Sequence, residues 1–141
     1  MPSSHQIVAV RRSFLLVSSR NDALVANFYA LLFAENPGLR AIFPQDMGAQ
    51  HSKLKDMLQT ALTSLNSPRA LIAPLKALGA RHRGYGAQSE HYPVVASTLI
   101  ATLKEASGPL WTKEMEEAWG AVLGFVAEHM IAGAKEAAAA A

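Results

Sequence analysis

The chain has no cysteine, little charge and no long apolar run, and each absence excludes a class of protein. Without cysteine there is no disulfide framework, no thiolate metal site and no cysteine nucleophile. The apolar stretches 23–34 and 118–127 are far shorter than the roughly 20 residues that cross a bilayer. Arg11 and Arg12 interrupt the N-terminal apolar part, where a signal peptide would be unbroken. We therefore expect a cytoplasmic protein without a membrane span.

The charge is also too scattered for a nucleic-acid partner. Lys and Arg number 13 against 11 Asp and Glu, and the densest basic pairs, Arg11–Arg12 and Arg81 with Arg83, are isolated. Nucleic-acid binding requires a clustered basic surface, so we expect none. Half of the 141 residues are apolar and 17% are charged, which favours a folded core over disorder.

Apolar residues recur at spacings of three and four, and strict alternation is not sustained. This pattern predicts one all-α domain over 1–141, with six to eight helices, two of them short. Predicted N-caps are Ser3 (with Gln6 completing a capping box), Asp46, Ser89 and Thr112. We expect a short helix over 37–42, with Phe43 directly after it and Pro44 ending it. The alanine tail, 137–141, retains helical propensity but has nothing large to bury, so we expect it to fray.

Among five histidines, His82 has the most distinctive setting. It lies one turn after Leu78, on the apolar face of the preceding helix. Two interpretations are open from this periodicity: a histidine packed into the core, or a lone ligand offered to iron in an apolar pocket. The other four histidines have the pattern of surface or half-buried side chains. No HExxH, P-loop or nucleophile-elbow signature occurs.

Several short motifs in a fixed order resemble one family, the globins, and in particular bacterial single-domain globins and the globin part of flavohaemoglobins. The resemblance covers about residues 4–133 and implies a three-over-three helical sandwich enclosing haem. The motifs are Asn27-Phe28-Tyr29, Asn36-Pro37 followed by Phe43, Gln50 with Leu54, Leu78-Gly79-Ala80-Arg81-His82, Tyr85-Gly86-Ala87, His91-Tyr92-Pro93-Val94-Val95 and Ala118-Trp119-Gly120.

The resemblance implies haem b as the cofactor and assigns roles to individual residues. His82 is similar to the proximal histidine that binds the iron, with its second ring nitrogen donating to a carbonyl near Leu78. Phe43 resembles the phenylalanine that packs against the haem. Tyr29 and Gln50 resemble the distal pair that donates hydrogen bonds to the bound ligand, and Leu54 would close the pocket above the iron. The remaining implied haem contacts are Phe33, Val95 and Leu99 on the pocket wall, Lys53 and Arg81 near the propionates, and Tyr92 near the proximal histidine.

His51 and Ala134 are the two positions at which the sequence complicates the globin pattern. His51 could occupy the distal slot instead of Gln50, but that register would place Lys55 over the iron, where burial of its charge is costly. We therefore expect Gln50 as the distal residue. The glutamate that flavohaemoglobins place beside the tyrosine at Tyr92 is replaced here by Ala134. This departure disfavours a strongly basic proximal histidine.

The resemblance implies two functions. The first is reversible binding of dioxygen, with nitric oxide and carbon monoxide as further ligands. The second is a nitric oxide dioxygenase that receives electrons from a separate reductase. A haem-based sensor is disfavoured because no output domain is attached, and a haem-free helical bundle would show no Soret absorption.

Overall fold

A computed structural model describes residues 1–140, without the side chain of Asn21, and helices dominate the described part. The α-helices are α1 (Ser4–Val17), α2 (Asn21–Glu35), α3 (Gly48–Ser64), α4 (Ile72–Gly84), α5 (His91–Ser107) and α6 (Lys113–Ala140). Short 3-10 helices cover Ser18–Arg20, Pro37–Ile42, Pro68–Leu71 and Gly108–Leu110. The all-α prediction is confirmed. Within residues 1–140 no helix has the length and apolar character needed to cross a membrane.

Local capping explains where α1 and α6 begin. Ser3 Oγ accepts a hydrogen bond from Gln6 N over 3.2 Å, and Gln6 Oε1 accepts one from Ser3 N over 2.9 Å. Thr112 Oγ1 likewise accepts from Met115 N over 3.1 Å. Each bond satisfies an amide that has no partner inside its helix. Both of these caps are as the sequence predicts.

The starts of α3 and α5 differ from the sequence prediction. Asp46 Oδ1 accepts from Gly48 N over 2.9 Å, but Met47 is the residue at the cap position. The prediction of Ser89 as the cap of α5 is wrong, because Glu90 occupies that position without a side-chain capping bond. His91 Nδ1 accepts from the backbone N–H of Gln88 over 3.0 Å. Because Gln88 precedes α5, this bond does not replace a capping bond to an amide of the first turn.

The helices form two layers. In the first layer α5 packs against both α2 and α6, while α1, α3 and α4 pack across onto these helices. The contact between α4 and α6 is the most extensive of all. Towards the C-terminus, α6 continues through Ala140. Fraying of 137–141 remains a prediction, and Ala141 lies outside the described residues.

One buried hydrogen bond joins α1 to α6. Trp119 Nε1 donates to Ser13 Oγ over 2.9 Å, and both side chains are almost fully buried. An indole N–H that is desolvated in the core needs such an acceptor. The sequence marks Trp119 as inward-facing but offers no sign of which residue accepts its hydrogen bond.

Replacing Ser13 by alanine leaves the Trp119 indole without its acceptor. We expect Ser13→Ala to lower the free energy of unfolding by about 1–3 kcal/mol, the cost of a buried donor left unsatisfied. Urea denaturation measures the change, and Ser52→Ala, at an exposed position of α3, serves as the matched control. Equal stability of the two variants would contradict the assignment.

Candidate functional site

A buried tyrosine and a glutamine from two helices form the first part of the site. Tyr29 on α2 is 5% exposed, and Gln50 lies in the first turn of α3. Gln50 Nε2 donates a hydrogen bond to Tyr29 Oη over 3.1 Å. Because the phenol oxygen is the acceptor, its own O–H remains able to donate to another group. The two residues that the resemblance assigns to the distal side are thus in direct contact.

Three phenylalanines pack around the Tyr29 ring. Phe28 and Phe43 contact it edge-on, with ring centroids 5.0 and 5.7 Å away, and Phe33 stacks on it at 5.9 Å. Aromatic pairs favour both arrangements. Phe33 and Phe43 also meet each other edge-on at 5.2 Å. Two predicted pocket residues therefore belong to the same cluster as the predicted distal tyrosine.

Arg40, a residue that the sequence analysis does not single out, holds the backbone at Phe43 and Pro44. Pro37 begins the 3-10 helix, as its fixed φ and missing N–H allow. Arg40 Nη1 donates to the carbonyls of Phe43 and Pro44, over 3.3 and 2.8 Å. Its guanidinium also lies 5.4 Å from the centre of the Phe33 ring. Arg40 therefore fixes the backbone on which Phe43 is presented.

Burial sets the protonation state of Tyr29. Desolvation raises the pKa of its phenol above the ordinary value, and the hydrogen bond from Gln50 offsets only part of that increase. A raised pKa keeps an acid protonated over a wider pH range. Tyr29 is therefore a neutral hydrogen-bond donor throughout the physiological range.

His82 forms the second part of the site, near the end of α4. Its Nδ1 lies 2.8 Å from the Leu78 carbonyl oxygen, and because a carbonyl can only accept, Nδ1 carries the proton. The lone pair is then on Nε2, the tautomer that binds a metal ion. Tyr85 contacts the ring edge-on, with centroids 5.8 Å apart. The bond to Leu78 is the one that the sequence resemblance implies.

Two glycines bring α4 into backbone contact with α6. A Cβ atom added at Gly79 would overlap the backbone of Met130, and one added at Gly133 would overlap the backbone of Lys76. The two contacts are reciprocal, and on α4 they lie about one turn (Gly79) and nearly two turns (Lys76) before His82. Sequence reasoning did not assign these residues a role, although a glycine within a helical pattern is a known signal of close packing. The glycines set how near the helix that carries His82 approaches α6.

The other predicted pocket residues differ in how far their side chains are exposed to solvent. Leu99 is buried, whereas Leu54, Tyr92 and Val95 are half-buried apolar residues packed against the core. Lys53 and Arg81 are exposed, and neither forms an ion pair within the described part of the chain. The half-buried residues can line an apolar pocket, and the two cations are free to meet an anionic group.

The surroundings of Tyr92 differ from the flavohaemoglobin pattern. Ala134 offers no carboxylate, and Glu136, two residues on, pairs with Lys76 across the α4–α6 contact at 2.9 Å. Burial raises the pKa of the Tyr92 phenol. The nearest candidate glutamate on α6 therefore already has a lysine partner.

Comparison with known proteins decides the family. The globin family model matches residues 26–130 of the chain. The chain belongs to the globin family. Flavohemoproteins of Bacillus cereus and Vibrio cholerae are 32% and 29% identical to this globin over 134 residues. Each alignment includes 93% of this globin. The chain spans only about a third of the length of these curated relatives, 33% and 34% respectively.

Solved structures share the fold of this globin. An engineered carbene transferase made from a candidate nitric oxide dioxygenase of Rhodothermus marinus superposes with a TM-score of 0.88 at 28% identity, covering 99% of this globin and 98% of that chain. A bacterial globin from Campylobacter jejuni gives a TM-score of 0.81 at 20% identity, over 95% and 97% of the two chains. The second likeness shows the fold alone.

Membership of the family implies a haem cofactor, and the residues present fit one. No group of three histidine, cysteine or carboxylate side chains among residues 1–140 could hold a metal ion. A metal at His82 must therefore bring most of its own ligands, as porphyrin iron does. The protonated Nδ1 of His82 and the half-buried apolar residues suit that group.

Proposed function

We propose that this globin binds dioxygen reversibly at the iron of haem b, with His82 as the protein ligand and Tyr29 and Gln50 as hydrogen-bond donors to the ligand. The bond from Gln50 Nε2 to Tyr29 Oη carries the proposal. Haem would supply an iron atom that binds diatomic gases. The polypeptide would supply the ligand to that iron and the polar contacts that decide how long a gas molecule stays.

Tyr29 is suited to hold dioxygen by hydrogen bonding. Its O–H has no protein acceptor among the described residues, and its raised pKa keeps the proton in place. The amide of Gln50 polarises the phenol by donating to its oxygen, which strengthens the phenol as a donor in turn. A stronger donor slows the release of a polar ligand. High oxygen affinity follows.

The test is the rate of oxygen release from Tyr29→Phe. Loss of a hydrogen bond of about 1.5–3 kcal/mol, the range for bonds with charged character, should speed dissociation roughly 10- to 150-fold. Stopped-flow displacement of dioxygen by carbon monoxide measures the rate, and Tyr85→Phe, at an exposed tyrosine, is the control. An unchanged rate in Tyr29→Phe would remove this residue from the distal role.

A second function is favoured by the likeness to the Rhodothermus marinus protein. Nitric oxide and dioxygen with one electron give nitrate, and a separate reductase would deliver the electron. The replacement of the proximal glutamate by Ala134 argues for oxygen binding instead. Nitrate measured with excess nitric oxide and a flavin reductase separates the two functions: one equivalent per protein supports binding, and sustained production supports the enzyme. We also propose that the protein is cytoplasmic.

A further inference from the structure

The imidazole of His51 stacks parallel to the phenol ring of Tyr29. Their ring centroids are 5.2 Å apart and their planes differ by 3°. This is the most nearly parallel of the aromatic pairs around Tyr29, since the Phe33 ring is inclined by 28° and the Phe28 and Phe43 rings by 67° and 72°. Offset parallel stacking is a favourable arrangement for two rings. His51 is thus a direct neighbour of the proposed distal donor.

Stacking is the contact that orients this histidine. Neither ring nitrogen of His51 has a hydrogen-bond partner among the described residues, and the side chain is half-buried. Its backbone N–H donates to the Met47 carbonyl over 2.9 Å at the start of α3. The imidazole therefore contacts Tyr29 by its face and leaves the hydroxyl to Gln50.

Two consecutive residues of α3 thus hold Tyr29 in complementary ways. Gln50 holds the phenol oxygen through its amide, and His51 covers the ring face. A phenolic hydrogen stays close to the ring plane because the oxygen lone pair is conjugated with the ring. With Gln50 occupying one side of the oxygen, the orientation of the ring plane decides the direction in which the O–H can donate.

We propose that His51 is a positioning residue that fixes the plane of Tyr29 and thereby aims its hydroxyl at the bound gas. This inference rests on the proposed function, in which Tyr29 is the distal donor. The role differs from that of a distal histidine, because His51 acts through Tyr29 without touching the ligand. It also gives each of the adjacent residues Gln50 and His51 its own contact with Tyr29.

The experiment is a double-mutant cycle on the oxygen dissociation rate of the haem-loaded protein. His51→Leu keeps an apolar side chain but removes the flat ring, and we expect dissociation to become about three- to tenfold faster, the range that one aromatic contact represents. His51→Phe restores a ring and should return the rate to within about twofold of the original. In a Tyr29→Phe background, His51→Leu should change nothing further, because the hydroxyl that it aims is absent.

A spectroscopic readout separates positioning from general destabilisation. The chain has three tyrosines, so ring-labelled tyrosine gives a simple NMR spectrum in the diamagnetic carbon monoxide complex. We expect His51→Leu to shift the Tyr29 ring signals and leave those of Tyr85 and Tyr92 in place. The carbon monoxide stretching band should broaden or split, because the hydroxyl no longer has one direction.

The outcomes distinguish failure of this inference from failure of the proposed function. If Tyr29→Phe leaves oxygen release unchanged, both fail. If Tyr29→Phe speeds release but His51→Leu does not, or if His51→Leu acts equally in the Tyr29→Phe background, only the positioning role is overturned. His51→Gln replaces His51→Leu in the cycle if the leucine variant does not fold, and Soret intensity confirms haem loading in each variant.

Discussion

We expect His82→Ala to abolish stable haem binding. The side chain is the only proposed bond from the protein to the iron, and no group of three histidine, cysteine or carboxylate side chains among residues 1–140 could hold a metal ion without a porphyrin. Without that bond the haem would be held only by apolar contact and by ion pairs to Lys53 and Arg81, and exposed ion pairs contribute about 1 kcal/mol at most. Reconstitution with one equivalent of hemin, followed by Soret absorbance after gel filtration, measures the loss.

His129→Ala is the matched control for this experiment. His129 is also half-buried on a long helix and also contacts an aromatic ring, that of Phe125, at 4.6 Å. If His82→Ala loses haem merely because a half-buried histidine has been removed, His129→Ala should lose it too. A His82→Ala protein that retains a normal Soret band would refute the proximal assignment. Free imidazole should restore part of the absorbance, because the deletion leaves room for an external ligand.

Gly79→Ala is expected to produce the largest loss of stability. The added methyl group would overlap the backbone of Met130, and neither helix can relieve the contact by rotating a side chain. Overpacking a core costs about 1–3 kcal/mol even when side chains can move, so we expect at least about 3 kcal/mol here. That is a large share of the 5–15 kcal/mol typical of a folded domain. Urea denaturation of the haem-free protein measures it.

A glycine-to-alanine substitution at a glycine without close neighbours should raise the free energy of unfolding instead of lowering it. Gly124 lies in the interior of α6, and a Cβ added there meets no atom within 4 Å. Gly124→Ala should therefore stabilise the protein by about 0.5–1 kcal/mol through helix propensity. If Gly79→Ala and Gly124→Ala changed stability alike, α4 and α6 would not be in backbone contact. Because Gly79 lies one turn before His82, Gly79→Ala should also weaken haem binding.

The all-α fold could be predicted from the sequence because its signals are local. Helical spacing of apolar residues, the Ser3–Gln6 capping box and Pro37 each act over one or two turns. The wrong prediction at Ser89 has a physical reason as well: a capping bond depends on the rotamer and backbone at one residue, and α5 begins one residue later than a cap at Ser89 requires.

The candidate site could be predicted only in part. The ordered motifs of a family predict Tyr29, Gln50 and His82 as site residues, whereas periodicity alone leaves His82 undecided between core and ligand. The sequence does not predict the stacking of His51 on Tyr29 or the interlocking of the two glycines with the opposite helix. Each depends on contacts between residues far apart in the chain, and no spacing rule encodes such contacts.

By itself the sequence determined the helical class, the family and the residue types available for chemistry, because helix periodicity and short motifs are written in neighbouring residues. Only the tertiary structure decided how those residues act together. It places Gln50 on the hydroxyl of Tyr29 and His51 on its ring, and it brings α4 against α6 at Gly79 and Gly133. The physical reason is that stacking angles, hydrogen-bond directions and backbone approach are set by how helices cross, and crossing is a property of the packed whole.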